Sequence, residues 1–326
     1  MSIFEKRTNY KPFEYGYITE PLIDAMWAGH WTHNEFNFKD DVQDFKTKLT
    51  PEQQEILIRS VLLTSQIEVA VKSYWTKLGF IFPKPEFSDM GAVFGGIEVI
   101  HAKSYSQILT VLGIEDRFDE FLKTPVVKGR VEYLSKYVNK IYKDDRKNIA
   151  YSLVLFVLFI EYTALFSQFY VMLGFNRFEG GILKDISNIV QYTSKEENLH
   201  AEGGLAILQV LRQEHPEIFD DEFANKIKEE VHEAFLAESK LIDWMIGDYK
   251  SDWLDANILK GYIQRRLDDC IEKLGFEKKF NVSQEIKQKT QWMEQEVYAS
   301  ALTDFFHKKP IDYAKNNKTY NTEDLF

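Results

Sequence analysis

The sequence predicts an all-α protein, on three observations. Apolar residues recur with a 3.6-residue period instead of alternating, only eight prolines break the 326-residue chain, and no Gly/Ser-rich linker or shift in composition divides residues 50–275. Residues 51–286 are therefore read as one helical domain, preceded by an N-terminal arm over 1–50 and followed by a C-terminal segment over 287–326. Thr50-Pro51-Glu52 has the form of an N-cap with proline at the first helical position. A helix should open at 51 and run to about Gly79, with Pro83 and Pro85 forming the break after it. Further helices are expected over about 87–112, 127–142, 147–174, 182–212, 221–247 and 252–274. A short helix should follow residue 286, and the polar stretch from Lys308 to Phe326 reads as a flexible tail.

Composition narrows the function. Forty Lys and Arg against 51 Asp and Glu leave a formal net charge of −11 with no basic block, which argues against a grip on nucleic-acid phosphates. The single cysteine, Cys270, allows neither an internal disulfide nor a thiolate metal cage. The opening MSIFEKRTNY lacks the apolar run of a signal peptide, so the cytoplasm is the expected compartment. Leu153 to Leu173 is long and apolar enough to be scored as a membrane span. Glu161 falls near its centre, where an ionised carboxylate costs about 2.5–3.5 kcal/mol, and the flanks show no Lys/Arg asymmetry. The segment is read instead as a core helix apolar on every side, with no membrane involved. Glu161 is then a buried carboxylate that needs a partner.

Three of the seven histidines close a Glu-x-x-His quartet: Glu98/His101, Glu197/His200 and Glu229/His232. In a helix, positions i and i+3 lie about 60° apart the short way round, so both side chains can reach one ion. Glu98, His101 and Tyr105 share a face with Phe94, Leu109 and Leu112. Glu197 and His200 share one with Ile186, Val190, Gly204 and Leu211. Both pairs therefore point inward. Glu229 and His232 lie off the stripe made by Ile227, Val231, Ala234, Phe235 and Ile242 and are read as a solvated face; Glu238 intrudes on that stripe with no evident role.

Glu68 precedes Glu98 by 30 positions and Glu161 precedes Glu197 by 36, so each half repeats a Glu followed by Glu-x-x-His. Glu68 lies on the inward face with Leu57, Val61, Val71 and Trp75. One Glu from each of two helices plus Glu-x-x-His from each of two others is the ligand pattern of ferritin-like carboxylate proteins holding two irons or two manganese ions. As mere ion pairs, four carboxylates and two imidazoles in an apolar core lack enough cations, and like charges would force several to protonate; two divalent ions cancel the four negative charges, and oxygen and imidazole donors suit iron or manganese. A ferritin-like helical bundle with a dimetal site in its core is the expected architecture.

At these residues the chain resembles the small, radical-generating subunit of class I ribonucleotide reductase. Glu98-Val-Ile-His-Ala-Lys-Ser-Tyr105 is similar to that family's first quartet and the tyrosine that follows it, and Lys195-Glu-Glu197-Asn-Leu-His200 to its second. The resemblance implies Glu68, Glu98 and His101 as ligands of one metal and Glu161, Glu197 and His200 as ligands of the other, with some glutamates bridging. It implies that the oxidised cluster starts a thiyl radical in a separate catalytic subunit, which reduces ribonucleotides to deoxyribonucleotides. Trp31, in His-Trp-Thr-His-Asn-Glu, resembles the relay tryptophan, and Glu196 stands where the family usually has an aspartate joining the metal-bound histidine to it. Tyr313 or Tyr320 would continue the relay, and the ending Glu323-Asp-Leu-Phe326 resembles the segment that docks on the catalytic subunit. A homodimer is the family's expected state.

Two departures bear on the metal. Members with a di-iron tyrosyl radical usually have aspartate as first ligand, whereas Glu68 resembles the manganese/iron and dimanganese variants. Lys72, one turn later, places an ammonium where it would reach the cluster's carboxylates. A dimanganese cofactor is therefore expected ahead of Mn/Fe or di-iron, with Tyr105 relieved of carrying the radical. Two other readings compete. A ligand-binding dimetal oxidase acting on a lipid-like substrate would need a tunnel and no relay. A ferritin-like metal store would be shorter and would need cage-forming contacts.

Overall fold

A computed structural model describes residues 2–138 and 145–307, and among these every regular element is helical. The arm carries α1 (Gly16–Ala28) and α2 (Lys39–Thr47). There follow α3 (Pro51–Trp75), α4 (Pro85–Leu112), α5 (Pro125–Val138) and a long helix α6 (Arg146–Phe178). The remainder is α7 (Lys184–Glu214), α8 (Asp221–Ile246), α9 (Ala256–Lys273) and α10 (Gln284–His307). Two helices of the arm were not anticipated. α10 is 24 residues long rather than short, and it buries Thr290, Trp292, Met293 and Val297 in the body of the protein. Tyr313, Tyr320 and the Glu323 to Phe326 ending lie outside the described residues.

Local chemistry explains the boundaries. Thr50 accepts from the backbone N–H of Gln53 at 3.3 Å while the Gln53 side chain accepts from the Thr50 N–H at 2.9 Å, a capping box behind Pro51. Gly113, with φ 69°, ends α4 in the left-handed region. Asp220 and Asp255 cap α8 and α9 through the backbone N–H groups of Phe223 and Ile258.

Helices α3 and α4 pack along each other, α6 and α7 do likewise, and the two pairs face each other through α3 with α6 and α4 with α7. Gly91 and Gly204 permit the close crossings. A Cβ on Gly91 would lie 2.4 Å from the Trp75 carbonyl oxygen, and one on Gly204 would lie 2.0 Å from Val157 Cγ2. The apolar stretch of α6 is wholly buried inside the protein, as the core-helix reading expects.

The middle of α6 departs from expectation. Residues Leu155–Ala164 wind as a π-helix, and Glu161 stands within it. Wide turns of this kind are rare and gather at functional sites. Rewinding disturbs the backbone bonding, and buried carbonyls need donors. Two buried arginines supply them: Arg266 Nε donates to the Tyr162 carbonyl at 2.6 Å, and the Arg130 guanidinium donates to that of Ala164. Glu238, which the sequence left without a role, approaches Arg130 Nε at 3.5 Å and balances its buried charge.

The arm is clasped to α7. Asp41 accepts from the backbone N–H groups of Ile186 at 2.7 Å and Asp185 at 3.2 Å, Asp44 accepts from that of Leu183 at 3.1 Å, and Asp185 in return accepts from that of Phe38 at 2.8 Å. Phe38 and Leu183 both adopt left-handed backbone, with φ of 56° and 55°, at a cost of about 1–2 kcal/mol each that the reciprocal bonds offset.

Candidate metal centre

Four helices bring six side chains to one point. Glu68 comes from α3, Glu98 and His101 from α4, Glu161 from the π segment of α6, and Glu197 and His200 from α7. Each is at most 1% exposed. They fall into two overlapping groups, Glu68/Glu98/His101/Glu197 and Glu98/Glu161/Glu197/His200, within each of which the potential ligand atoms lie no more than 4.8 Å apart. Glu98 and Glu197 belong to both.

Both imidazoles turn Nδ1 to the centre. His101 Nδ1 is 3.2 Å from Glu98 and 3.3 Å from Glu197; His200 Nδ1 is 3.0 Å from Glu98, 3.2 Å from Glu161 and 3.4 Å from Glu197. Burial and the neighbouring Glu98 push the Glu68 carboxyl well above its ordinary pKa, and burial and Glu197 do the same to Glu161. Burial would also raise Glu197, but hydrogen bonds from Glu161, His101 and His200 hold it below the usual range. For His101, burial opposes the charged form, yet the carboxylates of Glu196, Glu197 and Glu98 outweigh it and raise the pKa well above the ordinary imidazole value. Glu98, Glu161 and Glu197 do so for His200.

Such a cluster stands together only by holding protons or cations. Two unit charges 4 Å apart interact by about 4 kcal/mol at an effective dielectric constant near 20, so adjacent carboxylates cannot all be anionic unaided. Neither oxygen of Glu68 has a hydrogen-bond partner among the described residues. A buried carboxylate with both oxygens unsatisfied fits metal ligation, and so does an all-oxygen-and-imidazole donor set.

The surroundings differ on the two sides. His101 Nε2 donates to Glu196 Oε2 at 2.7 Å, and Trp31 Nε1 donates to the same carboxylate, 3.1 Å from each oxygen. The Trp31 and His101 rings lie 6.3 Å apart at 25°. His200 Nε2 has no hydrogen-bond partner among the described residues. On its side Trp75 Nε1 donates to Glu161 Oε1 at 2.9 Å, and the Trp75 ring packs against Tyr74, Phe94, Phe156 and His200. Reasoning from sequence put Trp75 on the inward face but missed this contact; its place seven residues after Glu68, two turns along one face, was the available signal.

Tyr105 is fully buried, held above its ordinary pKa by burial and by the nearby Glu68, with the Thr193 hydroxyl beside it. Lys72 does not reach a cluster carboxylate as expected; its ammonium donates to the backbone carbonyl of Glu68 at 2.9 Å. A side chain four residues on satisfies its own helix's carbonyl more readily than it enters a dry core. Glu229 and His232 are exposed.

Fold and site together define a ferritin-like carboxylate protein built to hold two metal ions. Residues 7–298 match the family described as "Ribonucleotide reductase, small chain". The chain is 26% identical over 334 residues to a probable ribonucleoside-diphosphate reductase small subunit of Invertebrate iridescent virus 3, covering 98% of this chain and 87% of that protein. Its fold is similar to that of a putative class I ribonucleotide reductase from Bacillus halodurans, with TM-score 0.76, 23% identity, and coverage of 85% of this chain and 99% of that one. It is similar also to a dimanganese(II) NrdF protein of Streptococcus sanguinis, with TM-score 0.74, 15% identity, and coverage of 86% and 96%. The chain belongs to the ribonucleotide reductase small-chain family. Its role is that of the family: it generates the radical with which a large catalytic subunit reduces ribonucleoside diphosphates.

Proposed function

We propose that Glu68, Glu98 and His101 hold one metal ion and Glu161, Glu197 and His200 a second, that Glu98 and Glu197 are shared between them, and that both ions are manganese. The observation that carries this reading is the overlap of the two ligand groups at those two glutamates. Manganese is supported by Glu68 in place of the aspartate usual in di-iron tyrosyl-radical members, and by the dimanganese state of the Streptococcus sanguinis relative. When bound, a pair of redox-active ions supplies the one-electron oxidising equivalent that the family's chemistry uses.

The chain's own residues give that equivalent a way out. Glu196 holds the Nε2–H of His101 and the Nε1–H of Trp31 at once, so the imidazole is oriented and the indole is tied to it by one carboxylate. An indole that loses an electron becomes a strong acid, and the carboxylate 3.1 Å from its N–H stabilises the positive charge. Tyr105 is fully buried, with no solvent to take its proton, which suits a dry wall of the site more than a station on this route. Tyr313 or Tyr320 would continue the relay in the tail, and Glu323 to Phe326 would dock on the catalytic subunit. The working unit would be a cytoplasmic homodimer.

Anomalous scattering at the manganese and iron edges, with EPR of the activated protein, tests the metal assignment. A multiline signal from a coupled manganese pair is expected, and a sharp tyrosyl signal over di-iron would overturn it. Deoxyribonucleotide formation on mixing with a cognate catalytic subunit tests the partnership.

A further inference from the structure

The ten-residue π segment of α6, Leu155–Ala164, has no cause in its own sequence: it holds neither proline nor glycine, and such winding mostly occurs as a single-turn bulge. Its cause therefore lies in what packs on it. Arg266 of α9 is 0% exposed and directs its guanidinium at this segment. Nε donates to the Tyr162 carbonyl at 2.6 Å, and the guanidinium carbon lies 3.8 Å from the centre of the Tyr162 ring and 3.5 Å from that of Phe166. One turn beyond Arg266, Cys270 has the Thr163 hydroxyl beside it. Helix α10 closes the other side. Glu294 accepts from Arg266 Nη1 at 3.0 Å, and the Tyr298 hydroxyl lies 2.6 Å from that of Tyr162. Arg130 of α5 holds the Ala164 carbonyl in the same manner. Two of the three buried arginines among the described residues thus end on backbone carbonyls within three residues of Glu161.

We propose that Arg266 is a positioning residue for Glu161: it pins the π winding of α6 to α9 and α10, and through that winding it aims the Glu161 carboxylate at the metal centre. The inference rests on the reading of Glu161 as a ligand. One residue more or less in the winding turns everything beyond it by about 100°, so the direction of Glu161 is set by whether the segment is wound wide. Relaxed to an ordinary α-helix, α6 would carry the carboxylate off the shared centre, while the group of Glu68, Glu98, His101 and Glu197, which lies on other helices, would stay in place. A guanidinium suits the task. It stays charged when buried, and its planar fork serves a carbonyl and a carboxylate at once, which an ammonium on a flexible stem does less well. A buried charge is costly, and Glu294 with the two aromatic faces offsets that cost. Because Glu294 and Tyr298 belong to α10, the position of Glu161 is tied to the helix that leads into the C-terminal segment.

Manganese(II) titration of the full-length metal-free chain, together with hydrogen exchange of that metal-free protein, tests the brace. The native chain should bind about two ions, and Arg266→Met should bind one of them about tenfold or more weakly while keeping the other at native affinity. Amides over 155–164 should exchange faster in that variant than in the native chain, with those of α3 and α4 unchanged. Arg266→Lys should recover part of both effects. Glu294→Gln, a milder change that serves if Arg266→Met fails to fold, should shift both in the same direction by about twofold or more. Arg7→Met removes a buried arginine that braces the arm on Glu86 instead, and should change neither. Native affinity and native exchange in Glu294→Gln and in whichever Arg266 variant folds, or equal losses in Arg7→Met, would overturn the brace. Glu161→Ala separates the two readings: binding of about one ion keeps Glu161 as a ligand whatever the arginine does, and binding of about two would overturn both.

Discussion

The two halves of the dimetal site are built from the same repeated pattern and finished differently. On the His101 side, the ring's outer nitrogen is anchored by Glu196, and that carboxylate leads on to Trp31 at the arm. On the His200 side the outer nitrogen has no hydrogen-bond partner among the described residues, and the neighbouring tryptophan, Trp75, donates to a candidate ligand from inside a closed aromatic box. One half is linked outward to the arm and the other is enclosed. A repeat in sequence thus specifies the candidate ligand set, while the outward link to Trp31 depends on residues outside the repeat.

The sharpest way to break this comparison is at the shared carboxylates. Glu98→Ala or Glu197→Ala should take bound metal from about two ions per chain to near none, whereas Glu68→Ala or Glu161→Ala should leave about one, as metal analysis of the purified protein would read. Equal losses in all four would show that no carboxylate is shared. Trp31→Phe should keep the metal and lower turnover with the catalytic subunit by about 10³-fold, equivalent to about 4 kcal/mol of barrier. Glu196→Gln should weaken metal affinity or activity by about 10–100-fold, because the imidazole loses the charged acceptor that orients it. No comparable change is expected on the His200 side, where that acceptor is lacking.

Acidity offers a further comparison. His101, His200, Glu68 and Glu161 all have pKa values raised above their ordinary ranges, so the metal-free centre holds protons that ligation must displace. The metal-free state therefore binds more protons than the loaded one. Metal affinity should rise with pH, by about tenfold per unit for each proton displaced, and titration should release protons into weakly buffered solution. The smallest effect is expected at Trp75→Phe. It leaves Glu161 Oε1 without its indole donor, should cost about 1–3 kcal/mol of stability in the metal-free chain by thermal or denaturant unfolding, and should lower turnover far less than Trp31→Phe.

Much of this was legible in the sequence. The i, i+3 quartets and their place on apolar faces select Glu98, His101, Glu197 and His200 and reject Glu229 and His232, because burying a carboxylate next to an imidazole is costly enough to demand a reason. What stayed hidden depends on long-range contact or on backbone detail. The π turns around Glu161 leave no mark in a run apolar on every side, where any helical winding buries the same residues. The partnership of Arg130 with Glu238 spans 108 positions and no periodicity reports it, whereas that of Trp31 with Glu196, across 165 positions, was reached only through the family resemblance. Lys72 was misplaced for a local reason, since a long flexible side chain can fold back on its own helix.

The clasp between the arm and α7 makes the integrity of the first fifty residues a matter of practical importance. All six candidate ligands come after it in the chain, whereas Trp31 comes before it. A cut by protease between Trp31 and Phe38 would leave all six candidate ligands on one fragment and the proposed relay tryptophan on another, seated only by non-covalent contacts such as Arg7 with Glu86 and Glu14 with Lys84; native metal content with lowered turnover is the expected outcome. Mass spectrometry of the intact polypeptide should therefore accompany any specific-activity figure, since metal stoichiometry alone would pass such material as sound.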